Sequence, residues 1–367
     1  MTKVSLVRCA DYNADRVVEA VKRSVDLVGG IESYVKPGMK VLLKPNLLSA
    51  RPPEDGVDTH PEVVRALVRL VKASGATPII GDSPGGYGKN IDEIFDKSGM
   101  RNMARQEGVE LVKFINSKSV NGVPISRYVF ECDCIISIPK FKTHGITVLT
   151  GAIKNTYGMV VGLYKAERHS IAPREKDFAR IIAKIYSMVT PNLSVLDGIV
   201  AMEGDGPNVG SLRKMGFVMA GHDAVGMDAC LAKMMGLEPL DILVTKESYE
   251  KGLGEADLSR IEIAGERLED FIVKDFKLPQ TTALKLIPRS IAKGVGAFIR
   301  FKPYIDKSVC ARCNLCKLSC PVSAIEIEKN RCKIDYKRCV RCLCCQEVCP
   351  YKAIKIKRNI LTKMVWG

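Results

Sequence analysis

The sequence predicts an α/β protein: a largely parallel sheet with helices on both faces, followed by a small C-terminal α+β module. Three observations predict it. Over the first ~275 residues, short aliphatic runs alternate with amphipathic helical stretches, the order expected when helical crossovers join parallel strands. The composition, 46% hydrophobic and 26% charged over 367 residues, suits a folded chain with a substantial core. The last fifth breaks this alternation with a dense set of cysteines, so a second, smaller unit is expected there.

The strand candidates are Val4–Val7, Lys40–Leu43, Pro78–Gly81, Glu110–Phe114, Cys134–Ile138, Leu193–Leu196, Phe217–Ala220 and Ile261–Ala264. Each is short, apolar and rich in branched side chains. Helices are expected over Ala14–Val28, Pro61–Ser74, Lys176–Met188 and Ala224–Met235. Pro61 suits a first helical position, Val63, Val64, Leu67, Val68 and Val71 fall on one face, and Gly75 ends the run. His60 reads as a helix-entry residue, and His222 with Asp223 as a cap for the helix that follows. The boundaries are 1–278 for the α/β domain, 279–303 for a basic amphipathic linker that Pro288 should kink, 304–358 for the small domain and 359–367 for a tail. The linker is expected to pack on its own domains, with a membrane surface or a partner as the alternative.

Eight of the fourteen cysteines form two copies of C-x2-C-x2-C-x3-C-P: Cys310, Cys313, Cys316 and Cys320 before Pro321, then Cys339, Cys342, Cys345 and Cys349 before Pro350. This is the bacterial-type pattern for two [4Fe–4S] clusters, in which the fourth cysteine of each copy ligates the other cluster. Cys310, Cys313, Cys316 and Cys349 are thus expected to hold one cluster, and Cys339, Cys342, Cys345 and Cys320 the second. Zinc knuckles pair their cysteines differently, and disulfide scaffolds suit short secreted chains. Cys344 abuts Cys345; Cys345 is the expected ligand because it keeps both spacings. Of the remaining cysteines, Cys9 and Cys230 read as core, Cys132 and Cys134 as buried small residues sharing a strand face, and Cys332 as packing near the clusters.

The net charge of +15 is concentrated at one end. Residues 281–367 hold 19 Lys and Arg against 5 Asp and Glu, and residues 1–280 hold 37 against 36. Two oxidised clusters with their thiolates carry about −2 each, so the loaded module stays near +10. Such a surface suits an acidic redox partner protein first, an anionic membrane surface second and nucleic acid last, because no nucleic-acid-binding motif accompanies the charge. The opening residues MTKVSLVRCADYN lack an apolar signal core, and no apolar run approaches the ~18 residues of a membrane span, so a cytoplasmic, reducing and oxygen-poor setting is expected.

Within the large domain, polar motifs follow predicted strands, where open α/β sheets bind ligands. They are Lys44-Pro45-Asn46, the turn Asp82-Ser83 through Gly86, Pro139 through His144, and Glu203 through Asn208. The stretch from Lys140 to His169 is the densest, bringing Lys140, Lys142, His144, Lys154, Asn155, Tyr157 and Lys165 among glycines and apolar residues. A small anionic ligand is expected on Lys44, Asn46, Asp82, Ser83, Lys140, Lys154 and Asn155, with His144 and Lys142 as the catalytic pair. No complete P-loop or strand-to-helix G-x-G-x-x-G is present, which argues against a nucleotide triphosphatase or an ordinary dinucleotide enzyme. Whether an organic cofactor joins the clusters is left open.

The segments VLLKPNLL, HPEVVRALVRLVKASGATPIIGDSPG, IISIPKFKTHGITVLTGAIKNTYGMVVG and LSVLDGIVAMEGDGPNVG resemble the prokaryotic domain-of-unknown-function family numbered three hundred and sixty-two, over roughly residues 1–270. The tail resembles a bacterial two-cluster ferredoxin domain. The resemblance implies an α/β domain joined to an iron–sulfur module and supplies no substrate. The expected function is an iron–sulfur oxidoreductase passing electrons between the clusters and the bound anion. The alternatives are a non-catalytic electron carrier docking on a partner enzyme and a redox-sensing binding protein.

Overall fold

The computed structural model describes residues 2–84, 91–162, 164–171, 175–281, 302–328 and 331–357. The body of the linker, the tail and the Gly85-Gly86 end of the Asp82 turn lie outside these residues, as does the His169 side chain.

The large domain is built on one mixed sheet. Its strands are β1 (Thr2–Arg8), β2 (Lys40–Pro45), β3 (Thr77–Asp82), β4 (Glu110–Lys113), β7 (Cys134–Ile138), β8 (Lys140–His144), β9 (Val148–Thr150), β10 (Leu193–Glu203), β11 (Ser211–Gly221) and β12 (Ile261–Gly265), with a separate hairpin of β5 (Ser117–Val120) and β6 (Val123–Ser126). The main order is β12-β1-β11-β10-β7-β2-β3-β4. β11 runs antiparallel to both its neighbours, β1 and β10, and the other pairings along this path are parallel.

Alternating side chains of each strand enter two cores. Val41, Leu43, Ile136 and Val195 pack with the helices Ala14–Asp26 and Pro61–Ala73 on one face. Leu42, Ile135, Leu196 and Phe217 pack with Glu175–Met188 and Ala224–Met234 on the other. Burial on both faces explains why these strands read as continuous apolar runs. The helices start where their caps dictate. Asn13 accepts from the Arg16 N–H, His60 Nδ1 from the Glu62 N–H ahead of Pro61's helix, and Asp223 from the Val225 and Gly226 N–H groups. His60 is therefore the expected entry residue, and Asp223 rather than His222 makes the cap.

The main departure from the sequence expectation is Pro139–His144. It is not a strand-end loop: after Pro139 the chain resumes as β8 and continues along β10, with Lys140 opposite Asp197 and Lys142 opposite Met202. β10 is eleven residues long, longer than expected, and offers the edge that makes this continuation favourable. All five β8 residues are buried, so its lysines and histidine disguise a core strand as a polar turn.

The small domain pairs β13 (Lys302–Ile305) with β16 (Ile354–Lys357) and β14 (Ile325–Glu328) with β15 (Arg331–Ile334). Its two halves repeat at an interval of 29 residues. Left-handed residues recur as Arg312 and Arg341, Asn314 and Leu343, Ser323 and Lys352, and the short helices as Leu315–Leu318 and Cys344–Glu347. The second half packs on the large domain. Leu343 is only 2% exposed and faces Gly145, where an added Cβ would lie 2.8 Å from the leucine Cδ1. Asn208, wholly buried, donates its amide to the Cys349 carbonyl at 2.7 Å and to those of Gln346 and Glu347. Arg51 donates to the Pro350 carbonyl.

Candidate functional site

Two features can carry chemistry: the cysteine pockets of the small domain and a cleft where that domain meets the sheet. In the first, Cys310, Cys313, Cys316 and Cys349 line one small cavity. Cys345 lies within electrostatic range of Cys342, Cys339 and Cys320, the other three cysteines of its expected set, and of Cys316 from the first. The fourth cysteine of each motif accepts a backbone N–H at sulfur, Ala324 to Cys320 at 3.2 Å and Ala353 to Cys349 at 3.3 Å. Such bonds favour thiolates, and left-handed residues recur at matching positions in both cysteine loops, Arg312 with Asn314 and Arg341 with Leu343. The donor set therefore fits four-iron clusters. Among the described residues, no three His, Cys, Asp or Glu side chains converge closely enough for a single metal ion.

The cleft lies at the carboxyl ends of β2 and β3. The chain runs from β2 to β3 and β4 on one side, while β7 lies on the other side of β2. Such a reversal opens a crevice in α/β sheets. Asn155 spans it, donating to Ser137 Oγ on β7 at 2.8 Å and to the Lys44 carbonyl on β2 at 3.3 Å. The cleft encloses about 70 Å³ and is lined by Lys44, Asn46, Asp82, Ser83, Lys154 and Asn155, all expected from the sequence. Tyr157, Gly158 and Lys165 add to this wall, and the small domain contributes Ser319, Cys344, Glu347 and Val348.

These side chains are not equivalent. Lys44 Nζ contacts Asp82 Oδ1 at 2.8 Å and donates to Asn155 Oδ1 at 2.9 Å and to the Pro45 carbonyl at 2.8 Å. An ammonium has three protons, so Lys44 is fully committed and does not hold an anion as expected; it orders the floor instead. Burial lowers its pKa and Asp82 opposes this. Asp82 is equally engaged, accepting from the Leu47 and Ser83 N–H groups at 2.8 Å. Gly158 is required by this pair, since a Cβ there would lie 2.3 Å from Asp82 Oδ1 and 2.5 Å from Lys44 Nζ. Lys165 Nζ clamps the opposite rim through the Ser83 carbonyl and Ser83 Oγ.

Lys154 differs. It is half-buried and, among the described residues, its ammonium makes no hydrogen bond or ion pair. Burial lowers its pKa and Glu347 raises it. The short helix Ala152–Asn155 that carries it is held by Asp228, which accepts from the Ala152 and Ile153 N–H groups at 2.6 and 3.2 Å. Nearby, Asn46 Oδ1 is buried without a hydrogen bond among the described residues. Lys154 and Asn46 thus provide the open polar capacity of the cleft.

Three expected site residues lie elsewhere. Lys140 Nζ is bound to Asp197 Oδ2 at 2.8 Å and Tyr12 Oη at 2.6 Å, beneath the His60–Tyr12 ring stack. Lys142 Nζ donates to the Val57 carbonyl at 2.5 Å, and burial pushes its pKa down to about 7. His144 is buried; its Nδ1 accepts from the Ile146 and Thr147 N–H groups, and its Nε2 stands 3.1 Å from Glu347 Oε1. His144 thus stands at the border of the two domains, its Nδ1 occupied by backbone N–H groups, and does not line the cleft. The catalytic pair expected from the sequence is therefore corrected, for the reason that displaced β8 from the surface. Cys344 and Glu347 were missed as cleft residues; the signal available was the extra cysteine beside Cys345.

A family model described as a domain of unknown function, DUF362, matches residues 41–233, and a 4Fe-4S dicluster domain matches residues 302–350. The chain belongs to the DUF362 family. It joins this domain to a ferredoxin-type module that binds iron–sulfur clusters. A thylakoid-associated protein of Synechocystis is 31% identical to this DUF362 protein over 285 residues, 76% of this chain and 88% of the relative. Solved structures with partial likeness are a Thermotoga maritima protein at 16% identity and TM-score 0.37, covering 66% of this chain, and the lactate racemase apoprotein of Thermoanaerobacterium thermosaccharolyticum at 11% and 0.36, covering 69%. The chain spans 60% and 56% of their respective lengths. No helix among the described residues of this DUF362 protein is long and apolar enough to cross a membrane.

Proposed function

We propose that this protein is an iron–sulfur redox enzyme whose cleft binds a small anion, a carboxylate or phosphate, within reach of the cluster module. The observation that carries the reading is that Lys154 and the residues Cys344, Glu347 and Val348 wall one cleft, so the ligand would sit against the second cysteine motif. Cys310, Cys313, Cys316 and Cys349 would hold one [4Fe–4S] cluster, and Cys339, Cys342, Cys345 and Cys320 the other. When bound, the two clusters supply single electrons at a potential tuned by the N–H···S bonds on Cys320 and Cys349. Lys154 binds the anion, and Asn46 Oδ1 accepts a hydrogen bond from a hydroxyl or amine elsewhere on the same ligand. The Lys44–Asp82 pair and Gly158 keep that floor rigid, and Lys165 holds the Ser83 rim.

An acidic redox protein is the proposed electron partner, because the module's surplus of 19 basic over 5 acidic residues in 281–367 persists after cluster loading. The setting is cytoplasmic and reducing, with peripheral membrane contact suggested by the thylakoid-associated relative. If no small molecule occupies the cleft, the same basic surplus favours a non-catalytic carrier.

Anaerobic purification of wild type and Lys154→Gln, each followed by mass spectrometry of retained small molecules, tests the reading. An anion retained by wild type and lost from a fully cluster-loaded Lys154→Gln is expected. Equal retention in both, or none in either, would overturn the cleft assignment and leave the carrier.

A further inference from the structure

The two halves of the cluster module share one backbone but meet different surroundings. Positions 29 residues apart make the comparison direct. Leu343 is buried on Gly145, whereas Asn314 is exposed. Gln346 is buried where Lys317 is exposed, and Glu347 reaches His144 where Leu318 is 46% exposed. The second loop is therefore sealed into the protein beside the cleft, and the first loop, Ala311 through Asn314, is open.

The open half carries a particular surface. Val309 and Tyr351 are 45% and 50% exposed, and Tyr351 shares a cavity wall with Cys310, Cys313 and Cys316. Exposed large apolar side chains grouped beside a redox pocket mark a contact surface better than scattered ones do. Lys307, Arg312, Lys317 and Lys352 stand among them in sequence. No Asp or Glu occurs from residue 307 to 325 or from 348 to 357.

We propose that the open side of the module, with its exposed Val309, Leu318 and Tyr351 and its basic Lys307, Arg312, Lys317 and Lys352, docks an acidic one-electron redox protein. The inference rests on the reading that the module holds two clusters and has an acidic partner. It adds where that partner sits and which loop serves it. The partner loses one electron per encounter and the module gains one; no atom is transferred. The Cys310–Cys316 side exchanges electrons with the partner, and the Cys339–Cys345 side serves the cleft. The basic side chains steer the encounter and the exposed apolar ones hold it, which makes the rate strongly salt-dependent.

Stopped-flow reduction of the anaerobic, cluster-loaded full chain tests this, with reduced flavodoxin as an acidic protein donor and photoreduced deazaflavin as a small neutral one. The expected result is an about tenfold or greater loss of the flavodoxin rate in Arg312→Glu/Lys317→Glu/Lys352→Glu and a comparable loss at high salt, with the deazaflavin rate unchanged. Lys184→Glu/Lys251→Glu, on exposed lysines of the large domain, should change neither rate by more than about twofold. If the triple reversal lowers the iron content, Leu318→Gln replaces it and should slow flavodoxin alone by about threefold.

A flavodoxin rate unaffected by these variants overturns the assignment. So does binding to phosphatidylserine vesicles that the triple reversal abolishes while the flavodoxin rate stays intact, which would give the face to a membrane. A chain that never loads iron would instead sink the underlying cluster reading. The Lys154→Gln result bears only on the cleft, so the two can fail separately.

Discussion

The side-chain amide of Asn208 lies 2.7 Å from the carbonyl oxygen of Cys349, wholly buried between the large domain and the last motif cysteine. It also reaches the carbonyls of Gln346 and Glu347 at the end of the short helix Cys344–Glu347. One side chain thus completes the backbone of one domain from within the other.

Replacing it with Asp sets a carboxylate against those carbonyls while keeping the shape. Asn208→Asp is expected to weaken docking by about 3 kcal/mol, the scale of lost buried hydrogen bonds with added repulsion. Calorimetry of the loaded protein should then show the small domain melting ahead of the large one. A single unshifted transition would mean that Asn208 does not couple them.

Lys44→Met should destabilise the large domain by about 4 kcal/mol, because it strands the Asp82 carboxylate in the interior. Adding Asp82→Leu to Lys44→Met should recover part of that loss in urea denaturation, since two apolar groups need no partner. Gly158→Ala should act like a mild form of Lys44→Met, its methyl pushing the pair apart. An additive double variant would show that the two charges do not stabilise one another.

Burial lowers the pKa of His60 from 6.5 to about 4. The unfolded chain therefore binds a proton in that interval that the folded chain refuses, so its contribution is intact above pH about 6.5 and is lost as pH falls towards about 4. Denaturation midpoints across this window should fall less steeply in His60→Asn, which keeps a helix-capping acceptor. Parallel slopes for the two proteins would rule out this residue as the source.

Cys345→Ser should lose iron, whereas Cys344→Ser should keep about eight irons per chain, the load of two four-iron clusters. Iron and sulfide analysis with spectroscopy of the reduced protein decides this. Normal loading of Cys345→Ser together with loss in Cys344→Ser would exchange the two roles.

Much of this organisation was legible in the chain. Cys134–Ile138 forms a strand with the expected limits because five consecutive apolar or small residues suit a strand buried on both faces. Six of the expected anion-site residues line one cleft, since strand ends and the glycine-rich segment after them meet at the reversal in strand order. Lys140, Lys142 and His144 were misplaced because local polarity cannot reveal a strand whose lysines are neutralised from afar. Asp197, which pairs with Lys140, is 57 positions away, and Glu347, which meets His144, belongs to the other domain. The contact of Leu343 with Gly145 was equally hidden: neither residue signals a partner until the fold brings them together.

Gly145 and Leu343 also set how this chain can change over generations. The two halves of the cluster module share one backbone pattern, yet only the second seats a buried leucine on a glycine of the large domain. Mutations in the half seated on Gly145 must be matched across the domain border or lost. The outward loop carries no such restraint from Gly145, so its surface can vary without disturbing the cleft that the other half walls.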